Sequence, residues 1–283
     1  MKRDVFRAMG TSVDVTALND ALISDTHQLF DVVESVCSRF RPTSELSRIN
    51  ASPSGSVPLS PFMARVMHAA QQVRGLTGGL VDAGVGEAVR AWGYDRTFED
   101  VRDRAGAGRP TPIARGEWSV DGSVLHRDQG TRIDLGGIAK GWTCDLSVEE
   151  GLASVVSAGG DVRSGARSGR VEIVDPWGNT AATVQIGVGA LATSSVARRR
   201  WRVGSREANH LIDPRTMAPS DGPILQASAI ASTALEADAA AKAILLLGVD
   251  GLAWADRQPW IRGALVVWND GNVYATTDVE LAA

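Results

Sequence analysis

Cysteine is scarce in this sequence: Cys37 and Cys144 are the only two in 283 residues. They stand far apart in helix-like contexts, so neither a disulfide framework nor a four-ligand zinc site can be built, and two buried reduced thiols are expected. Aromatic residues make up only 5% of the chain and the net charge is −4. That balance gives no general attraction to nucleic acid or acidic membranes, and no aromatic-basic sheet motif is present. Long apolar runs are also missing. The longest, 239–249, is interrupted by Lys242 and is well short of the roughly 20 residues of a spanning helix. Met1-Lys2-Arg3-Asp4-Val5-Phe6 leads from charge straight into a strand-like segment, with no apolar signal region. A cytoplasmic location is expected, with no membrane insertion and no nucleic-acid partner.

What is present is apolar mass. Hydrophobic residues at 44% against 22% charged place the chain among globular proteins with a sizeable core. No Pro/Ser/Gly linker divides it, so residues 1–283 are read as one domain. The alternation of Val13, Val15 and Ala17 predicts two strands around Gly10. Leu22, Leu29, Phe30, Val33 and Cys37 share one face of a helix over 21–37, and Ser60-Pro61 opens a second helix that runs to Gly75. Strands are predicted over 117–135 around the Asp121-Gly122 turn, and a helix over 138–152. Short β-rich runs follow at 154–156, 171–174, 184–188 and 225–231, then an alanine-rich helix over 234–247 and a hairpin at 265–268 and 273–275. These short connections support a mixed α+β fold with mostly antiparallel pairing.

Three glycine-bearing turns invite close backbone approach: Met9-Gly10-Thr11, Asp134-Leu135-Gly136-Gly137-Ile138-Ala139-Lys140-Gly141, and Ser157-Ala158-Gly159-Gly160-Asp161. In the second, a strand runs through Gly-Gly into a helix. Its free N–H groups and Lys140 suit a phosphate, although a plain tight turn with Lys140 in water reads equally well. It matches neither a Walker loop nor the dinucleotide fingerprint. His210 lies in a polar loop with Asp213 and Arg215, which suits either a structural histidine or a base held in one tautomer. Asp238 reads as a first-turn acid complementing the helix dipole, or as a hard-cation ligand, with Lys242 four residues on along the same face. The basic cluster Arg198-Arg199-Arg200, Arg202 and Arg206 reads as a solvated strand or loop, or as a phosphate contact.

Taken in order along the chain, these segments resemble the FAD:protein FMN transferases of the ApbE family. The likeness runs through Met9-Gly10-Thr11, Cys37 to Asn50, Val81-Asp82, Trp92-Gly93, Ile133 to Gly141, Gly159-Gly160-Asp161, Ala192-Thr193-Ser194, His210 to Thr216 and Ala237-Asp238-Ala239. The resemblance implies a T-fold-like, duplicated α+β architecture of two intertwined subdomains with FAD in a cleft between the halves. It implies transfer of FMN from FAD to a Thr or Ser hydroxyl of an acceptor protein, with AMP leaving and Mg²⁺ assisting. His210 matches the family's base. Lys140 with Asp134, Gly136 and Gly137 matches the segment around the nucleotide, and Met9, Gly10 and Phe40 match positions near the flavin. Thr11, Gly159, Gly160, Asp161, Thr193 and Ser194 are the further cofactor-binding positions it implies. Asp238 and the backbone carbonyl of Gly137 match metal ligands.

The chain departs from the family pattern at four of these places. Lys242 stands where a metal-binding threonine is usual, Ser195 and Met217 replace glycines, and Phe40 replaces a tyrosine while keeping a ring. A protonated ammonium cannot ligate Mg²⁺. A non-catalytic FAD-binding protein and an FAD pyrophosphatase giving FMN and AMP are therefore the alternative readings. The sequence defines no oligomeric state.

Overall fold

The computed structural model describes residues 1–101, 110–165, 169–276 and 279. The chain is an α+β fold whose strand pairs are antiparallel throughout the described residues. It divides into two compact units interleaved in sequence: residues 1–32, 140–198 and 222–283 form one, and 33–139 with 199–221 form the other. Among the described residues, no helix is long and apolar enough to cross a membrane.

The first unit is built on an eight-stranded sheet, in the order Lys2–Ala8, Thr11–Ala17, Val155–Ala158, Asp161–Ser164, Gly189–Ser195, Ile224–Ala231, Ile261–Trp268 and Val273–Ala275. Side chains alternate across it, as the two-residue period of a strand requires. Ala190 and Ala192 face a core that includes Val13, Val15, Val156, Cys144 and Ala237, whereas Leu191 between them joins Ile173, Val184 and Leu265 on the opposite side. Small residues on the first face let the helix Ala234–Leu247 lie close to the sheet. Its Ala237, Ala240, Ala241 and Ala243 are fully buried. On the second face lies the ribbon Gly169–Val174 with Thr180–Ile186.

The expectation that Asp238 opens this helix is corrected. The helix begins at Ala234, and the capping box is Thr233 with Glu236: the Glu236 N–H donates to the Thr233 hydroxyl and the Thr233 N–H donates to the Glu236 carboxylate. Asp238 sits a turn inside, buried, where a helix-dipole role does not explain it.

The second unit holds the helices Glu45–Ala51, Pro61–Leu76 and Gly86–Ala91, a three-stranded sheet and two short ribbons. Ser60 caps its helix as the sequence predicts, accepting from the Met63 N–H. The strand reading of 117–135 holds only for Trp118–Asp121 and Val124–Arg127. Beyond them a side chain replaces ladder pairing: Asn50 donates to the carbonyl of Ile133 and accepts its N–H, both at 2.8 Å. The ribbon Arg200–Val203 with Arg206–Asn209 buries Trp201 and Val203 and exposes Arg200 and Arg202, so these two arginines of the cluster lie on the outer face of a strand pair.

Candidate functional site

In the first unit, two hairpin turns explain their glycines. Ala8 pairs with Thr11 across Met9 and Gly10, whose φ values are +51° and +70°. Ala158 pairs with Asp161 across Gly159 and Gly160, at +61° and +112°. Both are two-residue loops with positive φ at both central positions, the geometry that follows strand twist. The turns also meet neighbours. A Cβ on Gly159 would stand 3.1 Å from that of Thr11, and one on Gly160 would stand 3.0 Å from the Thr193 carbonyl oxygen. The Thr193 N–H donates to the Gly160 carbonyl at 3.0 Å. Sheet pairing therefore gathers Thr11, Gly159, Gly160 and Thr193, from three distant stretches of chain.

Asp161 leads away from the second turn and is nearly inaccessible, its side chain 2% exposed, while Lys140 from the helix Ala139–Glu149 reaches it at 3.0 Å. Asp238 and Lys242, one helical turn apart, form a second buried ion pair, and Ser194 Oγ lies 3.5 Å from Asp238 Oδ1. These two carboxylates and two ammoniums influence one another. Burial acts to lower the Lys140 pKa, but Asp161 and Asp238 outweigh it and the ammonium is held charged above its ordinary range. Burial, then the charge of Asp238, raises the Asp161 carboxyl. For Asp238 burial works upward too, but Lys242 and Lys140 together hold the carboxyl below its usual value.

The buried cluster tests the implied Mg²⁺ against this chain's own residues. A hard cation wants about six oxygen ligands at about 2.0–2.1 Å. Asp238 Oδ1 faces the Lys242 ammonium as an ion pair, although Lys242 Nζ makes no hydrogen bond, and Oδ2 is the one carboxylate oxygen left open, buried without a hydrogen-bond partner. Among the described residues, no three His, Cys, Asp or Glu side chains are grouped to hold a metal. The lysine brings the like charge and no lone pair, so the residues around Asp238 do not fit the ion.

The second unit holds Phe40, Asp134, Gly136, Gly137 and His210. Asp134 accepts from the Gly136 N–H at 2.7 Å and pairs with Arg39 at 2.8 Å. The Arg39 guanidinium in turn lies 4.1 Å from the centre of the Phe40 ring and 4.5 Å from that of Tyr94. Tyr94 stands 5.7 Å from both Phe40 and Trp201. The sequence reading assigned nothing to Arg39 or Tyr94. A cation flanking Phe40 in Ser38-Arg39-Phe40-Arg41 was the available signal for the first, and only folding brings Tyr94 to it.

His210 follows the strand Arg206–Asn209, and the backbone on both sides of it is fastened. Asn209 donates its side-chain amide to the Ser220 carbonyl at 2.7 Å and accepts the Leu211 N–H at 3.0 Å, while the Ser220 N–H donates to the Leu211 carbonyl at 2.8 Å. Asp213 engages Arg215 through both carboxylate oxygens. Met217, where glycine was expected, keeps the left-handed backbone at φ +51°, its carbonyl accepting from the Trp92 indole at 3.0 Å.

The comparisons agree on a single family. A family model described as the ApbE family matches residues 9–265. An FAD:protein FMN transferase of Rhodobacter capsulatus is 30% identical over 83% of this chain, which spans 48%, about half, of that relative's length. One from Vibrio cholerae is 27% identical over 88% of the chain and 82% of its own length. Among solved structures, the ApbE protein of Thermotoga maritima superposes with a TM-score of 0.81 at 24% identity, covering 98% of this chain and 97% of that one. The flavin transferase ApbE of Vibrio cholerae gives 0.76 at 23%, with the same coverage. At those identities the superpositions speak for the fold, and the match over 9–265 speaks for the sequence. On that ground the chain belongs to the ApbE family.

Proposed function

We propose that this protein binds FAD and transfers its FMN moiety to a threonine or serine hydroxyl of an acceptor protein, releasing AMP. The observation that carries this reading is the family match across residues 9–265. In the step itself, the acceptor oxygen forms a bond to the FMN phosphorus as the phosphoanhydride bond to AMP breaks. The hydroxyl proton goes to a base, and AMP leaves with the bridging oxygen. Such phosphoryl chemistry asks little covalent work of the protein and much positioning and electrostatic help.

His210 is the base in this reading, since imidazole takes up protons near neutral pH and its flanking backbone is held by Asn209. Lys140, kept charged by Asp161, is the cation for the pyrophosphate, with the turn glycines Gly159 and Gly160 allowing close approach. Phe40 offers a ring to the flavin, stiffened by Arg39. Mg²⁺, which the family resemblance implies, is assigned no part in the step, because the residues around Asp238 do not fit it.

Intact-mass measurement tests this directly. The protein is incubated with FAD and an acceptor carrying a flavinylation motif, with and without divalent ions. A gain of one FMN-sized increment on the acceptor, with stoichiometric AMP, is expected. FAD binding without any increment under every ion condition defeats the transferase reading in favour of a binding protein. AMP and free FMN without acceptor would instead identify a pyrophosphatase.

A further inference from the structure

We propose that Lys242 is the resident cation of Asp238 and takes the place of a divalent metal ion, so that this chain handles the FAD pyrophosphate without one. The inference rests on the flavin-transfer reading only for what the cation assists; the cation's identity is argued from the cluster alone.

Four charged side chains share one buried region. Lys140 pairs with Asp161 at 3.0 Å, and Lys242 pairs with Asp238. Counted with all four groups ionised, the two carboxylates and two ammoniums balance, so the set is formally neutral. Lys242 and Asp238 side chains are 10% and 3% exposed, and both residues lie on the helix Ala234–Leu247, whose capping box and alanine packing hold them in register. The helix spacing of four residues puts ammonium against carboxylate without any rearrangement. A divalent ion on the same carboxylate would add two charges to a formally neutral, poorly hydrated cluster. It would also stand beside an ammonium that offers no lone pair. An ammonium, by contrast, supplies positive charge and three N–H donors in all, of which those not turned to Asp238 suit phosphate oxygens.

Manganese binding, followed by electron paramagnetic resonance of the free ion, tests the cation apart from catalysis. It is measured on the full chain with and without FAD, against an FAD-only blank. The wild type is expected to retain no Mn²⁺ beyond the blank. Lys242→Thr and Lys242→Ser, each checked for folding by circular dichroism, are expected to gain one Mn²⁺ site that the wild type lacks. That site is expected to vanish when Asp238→Asn is added. In the activity arm, EDTA is expected to leave wild-type FMN transfer unchanged, while Lys242→Thr becomes dependent on Mg²⁺. One Mn²⁺ held by the wild type and lost in Asp238→Asn overturns the proposal. So does EDTA-sensitive wild-type transfer restored by Mg²⁺, or a folded Lys242→Thr and Lys242→Ser that gain no site. If the wild type transfers no FMN under any condition, the flavin-transfer reading fails, and the manganese titration still decides the cation.

Discussion

Lys140 and Asp161 carry opposite charges where little water reaches them, so each depends on the other. Replacing Lys140 by methionine leaves the Asp161 carboxylate beside Asp238 with one ammonium fewer, and breaking a buried pair in this way costs about 3–5 kcal/mol. Urea denaturation of Lys140→Met is expected to show that loss. The glycine positions differ in the same residue-level way. Gly160 has φ +112° and no room before the Thr193 carbonyl, so Gly160→Ala is expected to cost roughly 1–3 kcal/mol. Gly75 lies in the helix Pro61–Leu76 with open space at its Cβ, so Gly75→Ala is expected to stabilise by about 0.5–1 kcal/mol. Paired thermal melts read both. The thiols give a pH prediction. Burial first, and the nearby Glu45 second, push Cys37 up to about 12. Its folded pKa thus exceeds the unfolded value, so its contribution to stability is intact below about pH 9 and is lost as pH rises through about 12. Cys144 is raised too, chiefly by burial. Iodoacetamide at pH 8 is expected to label neither thiol until the protein is unfolded.

At the scale of elements, the alanine-rich helix Ala234–Leu247 matters most, because it carries Asp238 and Lys242. Its start is held twice. The Thr233–Glu236 capping box closes it, and Asp145 accepts the N–H groups of Ala234 and Leu235 at 2.7 and 2.9 Å while pairing with Arg163 at 3.0 Å. Thr233→Ala removes one of these supports and is expected to cost about 1 kcal/mol by thermal melt, with the helix retained. The periodic helices, 21–37 and 234–247, were legible from spacing because their apolar faces repeat locally. The short helices Glu45–Ala51 and Gly86–Ala91 were not, since six or seven residues contain less than two turns of pattern. Residues 128–135 misled for a related reason. Ile133 and Leu135 alternate as in a strand, but Asn50, some 80 residues away, takes both backbone hydrogen bonds of Ile133, and Arg132 and Asp134 bond to the backbone of Gly86 and Ala83.

On the scale of the whole molecule, ligand binding is expected to appear as stability. FAD at about 100 times its dissociation constant adds about 2.7 kcal/mol if it binds only the folded chain. A rise in melting temperature of several degrees is therefore expected in differential scanning fluorimetry, and it is expected to persist in EDTA. An unchanged melting temperature at saturating FAD counts against an FAD site. The sequence by itself determined the α+β class, the long helices, the Gly10 and Gly122 turns and the family, because each is written in local spacing or in motifs kept in order. Tertiary structure decided the rest. It made a buried cluster of Lys140, Asp161, Asp238 and Lys242, moved Asp238 from a helix end to a helix interior, and set Arg39 between Phe40 and Tyr94. Those relations depend on which strands pair and which faces are buried, and local periodicity carries no information about partners a hundred residues away.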